Sequence, residues 1–352
     1  MKPVVIGVVG CGGISPSYLS NLTTHFSHLV TVKSVADIFP ELAKKRAEEF
    51  GIKNIVPAEE LLDDSEIELV LNLTFPFNHY EVSTAILNAG KHLFSEKPLG
   101  MTREEGKAIL NLANKNGLKA GGASDTFLGA GFQTCRQLIE DGKIGIPTTA
   151  VASIGLKYSG ERIFQVGPLF DMGQYYLTGL LSLLGSVKRV TAFASIPIPE
   201  KIHPDNSPDA GKTYKVEVPS QVIGALEFEN GLTASFAASG EAAWYNPRVD
   251  VFGTDGFINA PDANMYTGTV KLNGNDVDLI AGFSEKGRGL GVAQMAYAIR
   301  NNQPVIASIE MQYHILDIMV SLLESSEQNK VIEVKSRWKK PAMLDFTSLM
   351  KK

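Results

Sequence analysis

Val4–Ser15 reads V-V-I-G-V-V-G-C-G-G-I-S, a short apolar strand that runs into a glycine-rich turn. The turn has the pattern G-x-G-x-x-S, in which Gly10 permits a tight turn and Gly12 lets a diphosphate approach the backbone. The N–H groups that open the next helix then bind the phosphate. Taken alone, the pattern also fits a glycine-rich turn without a ligand. We predict that a dinucleotide contacts four residues of the turn: Gly10, Gly12, Gly13 and Ile14.

An acidic residue follows the second predicted strand. Val30–Ala36 is apolar enough to be a buried strand, and Asp37 comes directly after it, 25 positions beyond Gly12. A carboxylate at this place accepts hydrogen bonds from the adenosine ribose and repels a 2′-phosphate. The sequence therefore favours NAD over NADP. Asp37 can also cap the helix predicted from Glu41, and the two roles are compatible.

Strands and helices continue to alternate along the first third of the chain. This alternation predicts an α/β fold with a doubly wound parallel sheet, whose ligands bind at the carboxyl ends of the strands. The strand Leu69–Leu73 is followed by T-F-P-F-N-H, in which Thr74 and His79 are expected near the cofactor. Asn78 is expected to cap the next helix. A partly exposed histidine in the first turn of that helix is the alternative for His79.

Lys91–Leu99 reads K-H-L-F-S-E-K-P-L. Its apolar residues Leu93 and Phe94 suit a short buried strand. Pro98 has no N–H to donate to a central strand, so the strand must end before it. We therefore expect Glu96 and Lys97 at the ligand-binding edge of the sheet, with both at the cofactor.

The pattern changes after Ala123. The later segments are longer and rich in β-forming residues, and Asx-Gly pairs typical of tight hairpins separate them: Asn230-Gly231, Asp255-Gly256 and Asn273-Gly274. We predict a dinucleotide-binding domain over residues 1–123 and an α+β domain with a large open, mainly antiparallel sheet over residues 124–352. An open sheet face of this size is expected to associate with a second copy of the chain.

One helix of the second domain is expected to begin at Gly167-Pro168 and to end at Gly185. At 100° per residue its apolar side chains fall on one broad face. Asp171, Tyr175 and Thr178 fall on the opposite face. That face is either solvated or directed at the cofactor, where a carboxylate and a phenol four positions apart can act on one ligand.

The composition narrows the classes of partner. The net charge is −5 and no long basic run occurs, which argues against nucleic acid and anionic membranes. No stretch approaches the roughly 20 apolar residues of a membrane-spanning helix. The two cysteines, Cys11 and Cys135, suggest reduced thiols in a cytoplasmic protein. No metal ligand is assigned.

Together these motifs resemble the glucose–fructose oxidoreductase / inositol dehydrogenase / rhizopine-catabolism (Gfo/Idh/MocA) family. The resemblance covers essentially the whole chain and implies an N-terminal Rossmann domain, tightly bound nicotinamide cofactor, and homodimers or homotetramers through the open sheet. The family's catalytic lysine in E-K-P corresponds to Lys97, and the Lys97–Pro98 bond is expected to be cis. Its D-x-G-x-H motif matches Asp171 and Gly173, but Tyr175 stands where the histidine is expected.

The resemblance implies an NAD(P)-dependent oxidoreductase that acts on a CH–OH group of a sugar, a sugar derivative or a cyclitol. Tyr175 would take the hydroxyl proton, although an unperturbed tyrosine has a pKa of about 10. Lys97 would orient the hydroxyl and lower that pKa. Asp171 would bind a neighbouring hydroxyl or position Lys97. A dinucleotide-binding regulator without catalysis is the alternative. A reductase or lyase acting on glycosides is a third possibility.

Overall fold

A computed structural model describes residues 2–158, 161–205 and 207–351. The chain divides into two units, and each unit combines separate segments of the sequence. The first unit contains Met1–Leu128, Ala281–Leu316 and Pro341–Lys352. The second contains Gly129–Ile280 and Asp317–Lys340. The sequence assigned everything after residue 123 to the second domain, whereas two later segments fold with the first unit.

The first unit is built on a parallel sheet, as predicted. Within the described residues its strands follow the order β3-β2-β1-β4-β5-β6, and all neighbours are parallel. The order reverses direction at β1, which is where a doubly wound sheet binds its ligand. The strands are β1 (Val4–Val9), β2 (Val30–Ala36), β3 (Asn54–Ile55), β4 (Leu69–Asn72), β5 (His92–Ser95) and β6 (Ala120–Gly122).

Helices connect these strands and cover the sheet. They are α1 (Ser15–Thr23), α2 (Pro40–Phe50), α3 (Ala58–Asp63), α4 (His79–Asn88) and α5 (Arg103–Lys115). Short 3₁₀ turns precede α4 at Pro76–Asn78 and follow β6 at Thr126–Leu128. Asn78 is the N-cap residue of α4, as expected, but its side chain makes no capping bond.

The second unit contains a mixed sheet of mainly antiparallel strands, as predicted. In the described part of the chain the order is β16-β15-β14-β13-β7-β12-β11-β8-β17, and only the β7–β12 pair is parallel. A separate two-stranded arm pairs β9 with β10. The strands are β7 (Pro147–Lys157), β8 (Val187–Ser195), β9 (Glu200–Ile202), β10 (Thr213–Lys215), β11 (Gln221–Phe228), β12 (Thr233–Ser239), β13 (Glu241–Gly253), β14 (Phe257–Ala260), β15 (Val270–Leu272), β16 (Asn275–Val277) and β17 (Ile332–Glu333).

The Asx-Gly pairs form the hairpin turns predicted for them. They connect β11 to β12, β13 to β14, and β15 to β16, and each of these strand pairs is antiparallel. At the last turn Asn273 and Gly274 both have positive φ angles, of 52° and 83°. This is the backbone conformation that Asn-Gly accommodates most readily.

The helices of the second unit are α6 (Ala130–Glu140), α7 (Glu161–Pro168) and α8 (Gln174–Leu184), with a π-helical turn at Leu169–Gly173. The prediction of one amphipathic helix from Pro168 to Gly185 is therefore wrong in two respects. The π turn interrupts the 100° periodicity. In addition, every residue of α8 is buried, including Tyr175 and Thr178, because the helix is covered on all sides.

The C-terminal segments contain α9 (Leu290–Arg300), α10 (Ile309–Gln328) and α11 (Phe346–Leu349). Helix α9 is joined to the first sheet by Arg300, which forms a two-pronged ion pair with Glu68 at 2.6 Å for each contact. Arg300 also donates to the backbone oxygens of Lys2 and Pro3. Among the helices of the described residues, none has the length and apolar character needed to cross a membrane.

Candidate active site

The three glycines of the turn have different surroundings. The first is tightly packed, and the next two face open space. Gly10 has a φ of +101°, and a Cβ there would lie 2.6 Å from the carbonyl of Leu73. Only glycine satisfies both conditions. By contrast, a Cβ at Gly12 or Gly13 would meet no atom of the described residues within 4 Å. The turn therefore packs closely on the sheet and leaves open space where a diphosphate is expected.

The turn leads into α1, and no side chain caps the start of that helix in the described structure. Ser15 instead donates to the Gly12 backbone oxygen at 2.8 Å and accepts from Arg46 at 3.1 Å. The uncapped helix N-terminus suits an anionic group. These features fit the phosphates of a dinucleotide.

The side chain of Asp37 is hydrogen-bonded to the backbone of the glycine-rich turn. Its carboxylate accepts from the Cys11 N–H at 2.6 Å and from the Phe39 N–H at 2.8 Å. It does not cap α2, whose N-cap residue is Phe39, so that secondary prediction is wrong. Ile38 and Phe39 are 82% and 51% exposed. The carboxylate and the apolar surface beside it fit an adenosine, which has both polar hydroxyls and an apolar ring.

Three loops leave the first sheet at one edge. The register pairs Val9 with Asn72 and Asn72 with Ser95, so β1, β4 and β5 end side by side. Gly10, Thr74 and Lys97 follow these ends within two residues. The carboxyl ends of neighbouring parallel strands thus bring the predicted cofactor and catalytic residues of this unit together, as the sequence suggested.

His79 connects two of these loops. It is fully buried, with Nδ1 2.6 Å from the Pro98 oxygen and Nε2 3.0 Å from the Thr74 oxygen. Burial lowers its pKa below the ordinary value for histidine. The partly exposed position of the alternative is therefore wrong, and the contact of His79 with the cofactor stays a prediction. His79 holds the Thr74 and Pro98 loops together.

Glu96 also has a supporting position. Its carboxylate accepts from the Tyr18 hydroxyl at 2.7 Å and from the Lys97 N–H at 3.0 Å, and it is buried. These two bonds fix the exit of β5, and the contact of Glu96 with the cofactor stays a prediction. Lys97 itself is only half-buried, and the Lys97–Pro98 bond is cis, as expected.

In the second unit, Asp171 lies in the π-helical turn and Tyr175 in the first turn of α8. Asp171 is half-buried and accepts a hydrogen bond from the Tyr158 hydroxyl, whereas Tyr175 is buried. π-Helical turns are rare and frequently occur at functional sites. The turn places the predicted carboxylate and phenol on consecutive helical segments.

Sequence reasoning missed three supporting residues. Tyr18 and Tyr158 donate to the carboxylates of Glu96 and Asp171. Asn72 accepts from the Thr74 N–H and hydroxyl and donates to the His79 backbone oxygen. An asparagine at the end of an apolar strand is a signal for the last of these, but no local pattern identifies the two tyrosines.

Comparisons with known proteins agree with this organisation. Residues 4–122 match the family model described as the oxidoreductase family with an NAD-binding Rossmann fold. Residues 132–259 match the model of the GFO/IDH/MocA C-terminal domain. The two models belong to one family and together cover most of the chain.

The curated relatives include dehydrogenases. Levoglucosan dehydrogenase of Pseudarthrobacter phenanthrenivorans is 27% identical over 248 residues, 64% of each chain. An NADP⁺-dependent scyllo-inositol 2-dehydrogenase of Bacillus subtilis is 30% identical over 141 residues, 38% of this chain and 39% of the relative. An uncharacterised oxidoreductase of Schizosaccharomyces pombe is 28% identical over 54% of each chain. The chain thus spans less than two thirds of the length of these relatives.

Solved structures share the fold over nearly the full chain. A levoglucosan dehydrogenase in complex with NADH has a TM-score of 0.83 at 21% identity, covering 95% of this chain and all of that one. An NAD-binding oxidoreductase from Klebsiella pneumoniae has a TM-score of 0.81 at 20% identity, covering 94% and 99%. At this identity the likeness establishes the architecture.

Proposed function

The chain belongs to the Gfo/Idh/MocA oxidoreductase family, and from this premise we propose that it transfers a hydride between NAD and a CH–OH group of a sugar, sugar derivative or cyclitol. The observation that carries the proposal is the shared edge of the first sheet. There the dinucleotide-type turn at Gly10 and the half-buried Lys97 follow β1 and β5, which end at the same edge on either side of β4.

The residues proposed to hold NAD are those of the turn and the strand ends: Gly10, Gly12, Gly13, Ile14, Asp37, Thr74 and Lys97. When bound, NAD supplies the hydride acceptor. The Asp37 carboxylate supports NAD over NADP, because a 2′-phosphate would place two negative charges together. His79 and Glu96 are also proposed at the cofactor, and they fix the loops that present Thr74 and Lys97.

The proton chemistry is assigned to three side chains. Tyr175 exchanges a proton with the reacting hydroxyl as a general acid or base. Lys97 donates to that hydroxyl and orients it, and Asp171 accepts from a neighbouring hydroxyl of the substrate. A polyol offers adjacent hydroxyls, which suits a carboxylate and a phenol four positions apart, Asp171 and Tyr175.

The test follows the absorbance of reduced nicotinamide with levoglucosan, D-glucose, D-xylose and myo-inositol as probes. We expect turnover with at least one of them, and a loss of about 10²–10⁴-fold in Lys97→Ala and Tyr175→Phe. NADH binding, measured by fluorescence, should persist in both variants.

Tyr176→Phe is the matched control for Tyr175→Phe. The Tyr176 hydroxyl donates to Asp262 at 2.8 Å and has no role in the proposed chemistry, so its loss should leave turnover near that of the parent. Near-normal turnover in both test variants would refute the catalytic assignment. Tight NADH binding without turnover on any probe would favour the regulator.

We also propose that two or more copies associate through the outer face of the second sheet. Phe193 on β8 and Ile223 on β11 are direct cross-strand neighbours, 80% and 49% exposed. Ala237 and Ser153 continue the same row on β12 and β7. A partly exposed and partly apolar row suits the identical row of a second copy.

A reducing compartment, the cytoplasm, is the proposed location. Cys11 and Cys135 are both buried as free thiols. Burial raises the pKa of Cys11 to about 12 and that of Cys135 as well, so neither is a reactive thiolate. A fluorescent fusion found outside the cytoplasm would contradict this proposal.

A further inference from the structure

Tyr158 is a buried tyrosine in the second unit to which the proposed chemistry gives no role. It follows strand β7 and is only 7% exposed. Its hydroxyl donates to Oδ2 of Asp171, the residue proposed to bind a substrate hydroxyl. A buried tyrosine needs a partner for its hydroxyl, and here that partner is a carboxylate of the candidate site.

The position of Tyr158 is fixed at both its backbone and its ring. The backbone N–H donates to the Gly240 oxygen at 3.1 Å. The ring packs in a small apolar cluster with Tyr214 and Val216, which are also buried. Met172, the neighbour of Asp171, packs against the same cluster. The hydroxyl therefore has little freedom to leave the carboxylate.

The β9–β10 arm contributes Tyr214 to this cluster, and an ion pair holds the arm itself in place. Tyr214 lies on β10 directly opposite Lys201 on β9. Lys201 Nζ lies 2.6 Å from a carboxylate oxygen of Glu241, at the start of β13, and both side chains are largely buried. A buried ion pair has a defined geometry, because an unpaired charge there would be costly. The arm thus fixes the ring of Tyr158, whose hydroxyl fixes the Asp171 carboxylate.

Tyr158 remains a donor across the working pH range. Burial, and then the adjacent Asp171 carboxylate, raise the pKa of the Tyr158 hydroxyl above its ordinary value. An ionised carboxylate can only accept hydrogen bonds. The direction of the bond is therefore constant: the hydroxyl donates and the carboxylate receives.

We propose that Tyr158, held by the β9–β10 arm, is a positioning residue that fixes the Asp171 carboxylate for binding a substrate hydroxyl. The proposal rests on the role assigned to Asp171 in the proposed function. Fixing the side chain before binding removes a rotational entropy cost that the substrate would otherwise have to offset. A small displacement of such a group is enough to lower activity.

The test is Tyr158→Phe, which keeps the ring in its cluster and removes only the hydroxyl. With the best polyol of the probe panel, we expect KM to rise about tenfold to a hundredfold while kcat changes by less than about threefold. NADH binding should be unchanged. A merely structural defect would reduce the active fraction, which lowers kcat and leaves KM as it was.

Tyr214→Phe is the matched control, because it removes another hydroxyl from the same cluster and leaves the Tyr158–Asp171 hydrogen bond in place. A parental KM is expected for it. Repeating Tyr158→Phe in an Asp171→Ala background completes a double-mutant cycle. If Tyr158 acts through Asp171, the second substitution adds no further loss in kcat/KM. The same non-additivity should appear in urea unfolding midpoints, which need no substrate.

The outcomes separate the two proposals. If Asp171→Ala has parental kinetics, the role of Asp171 in the proposed function is wrong, and the positioning role falls with it. If Asp171→Ala is impaired but Tyr158→Phe has a parental KM, only the positioning role is overturned. Fully additive losses in the cycle would also overturn it. If the protein turns over none of the probes, additive shifts of the urea unfolding midpoint would overturn the proposed coupling between Tyr158 and Asp171.

Discussion

At the scale of single residues, the glycines of the first turn have different tasks. Gly10 serves the protein, since its positive φ and its contact with Leu73 admit no side chain. Gly12 and Gly13 face open space, so the folded chain itself does not require glycine there. Their place in the pattern is explained by a ligand that must approach the backbone.

This difference predicts opposite effects of two alanine substitutions. Gly12→Ala should leave the free energy of unfolding within about 0.5 kcal/mol of the parent, because nothing crowds the new methyl group. It should weaken NADH binding at least about tenfold by filling the space a diphosphate needs. Gly10→Ala should destabilise the fold by more than 1 kcal/mol, as Ala at a strained positive φ does. Urea unfolding measures the free energy of unfolding of each variant, and fluorescence titration measures the affinity for NADH. An unchanged NADH affinity in Gly12→Ala would show that the turn is not part of the cofactor site.

At the scale of elements, the exit of β5 is shaped by contacts on both sides. Glu96 and its partner Tyr18 fix the last residues of the strand. Five residues after Lys97, Thr102 begins α5 with a complete capping box, in which Thr102 and Glu105 each accept from the other's backbone N–H. Glu105 also accepts from the Met101 N–H at 2.7 Å. The segment that presents Lys97 is thus held between a strand end and a capped helix.

Thr102→Ala should therefore lower the free energy of unfolding by about 1 kcal/mol, the usual cost of losing an N-cap. Thr84→Ala is the matched control. Thr84 lies inside α4, where its hydroxyl donates to backbone oxygens of the same helix, and its loss should cost less than about 0.5 kcal/mol. Chemical denaturation compares the two variants. An equal loss of free energy of unfolding in the two variants would show that the capping box stabilises the protein no more than an ordinary threonine hydroxyl inside a helix.

At the scale of the whole molecule, residues far apart in the chain complete each unit. Arg300 of α9 pairs with Glu68, at the start of β4, and so joins a late segment to the first sheet. The Arg300 guanidinium lowers the pKa of the Glu68 carboxyl below its usual range. The unfolded chain therefore binds a proton at higher pH than the folded one. The stabilisation is present above about pH 4.3 and is lost as the pH falls through the folded pKa.

Glu68→Gln should accordingly cost about 1–2 kcal/mol at pH 7, between the values for exposed and buried pairs. The difference from the parent should shrink as the pH falls below about 4, because the parent then loses the same interaction. Glu66→Gln, which removes an exposed carboxylate, is the control and should cost less than about 0.5 kcal/mol. A pH series of urea unfolding curves tests both. A constant difference between pH 7 and pH 3 would contradict the linkage.

Association through the second sheet is also a property of the whole molecule. Ile223→Glu places a charge in the centre of the proposed contact and should convert the assembly to monomer in light scattering at micromolar concentration. Ile55→Glu is the matched control, because Ile55 is 45% exposed on β3 of the first unit and outside the proposed face. A parental protein that is already monomeric would refute the proposed assembly.

The sequence by itself determined the local features of this protein. The parallel sheet, the Gly10 turn, the Asx-Gly hairpins and the end of β5 before Pro98 all follow from backbone demands within a few residues. Only the tertiary structure decided the burial of His79 and Glu96, the interruption of the helix at Asp171, and the segments that complete the first unit. These depend on contacts between distant residues, such as Tyr18 and Glu96, which are 78 positions apart. A local pattern records which side chain a residue has, but not which distant group meets it when the chain folds.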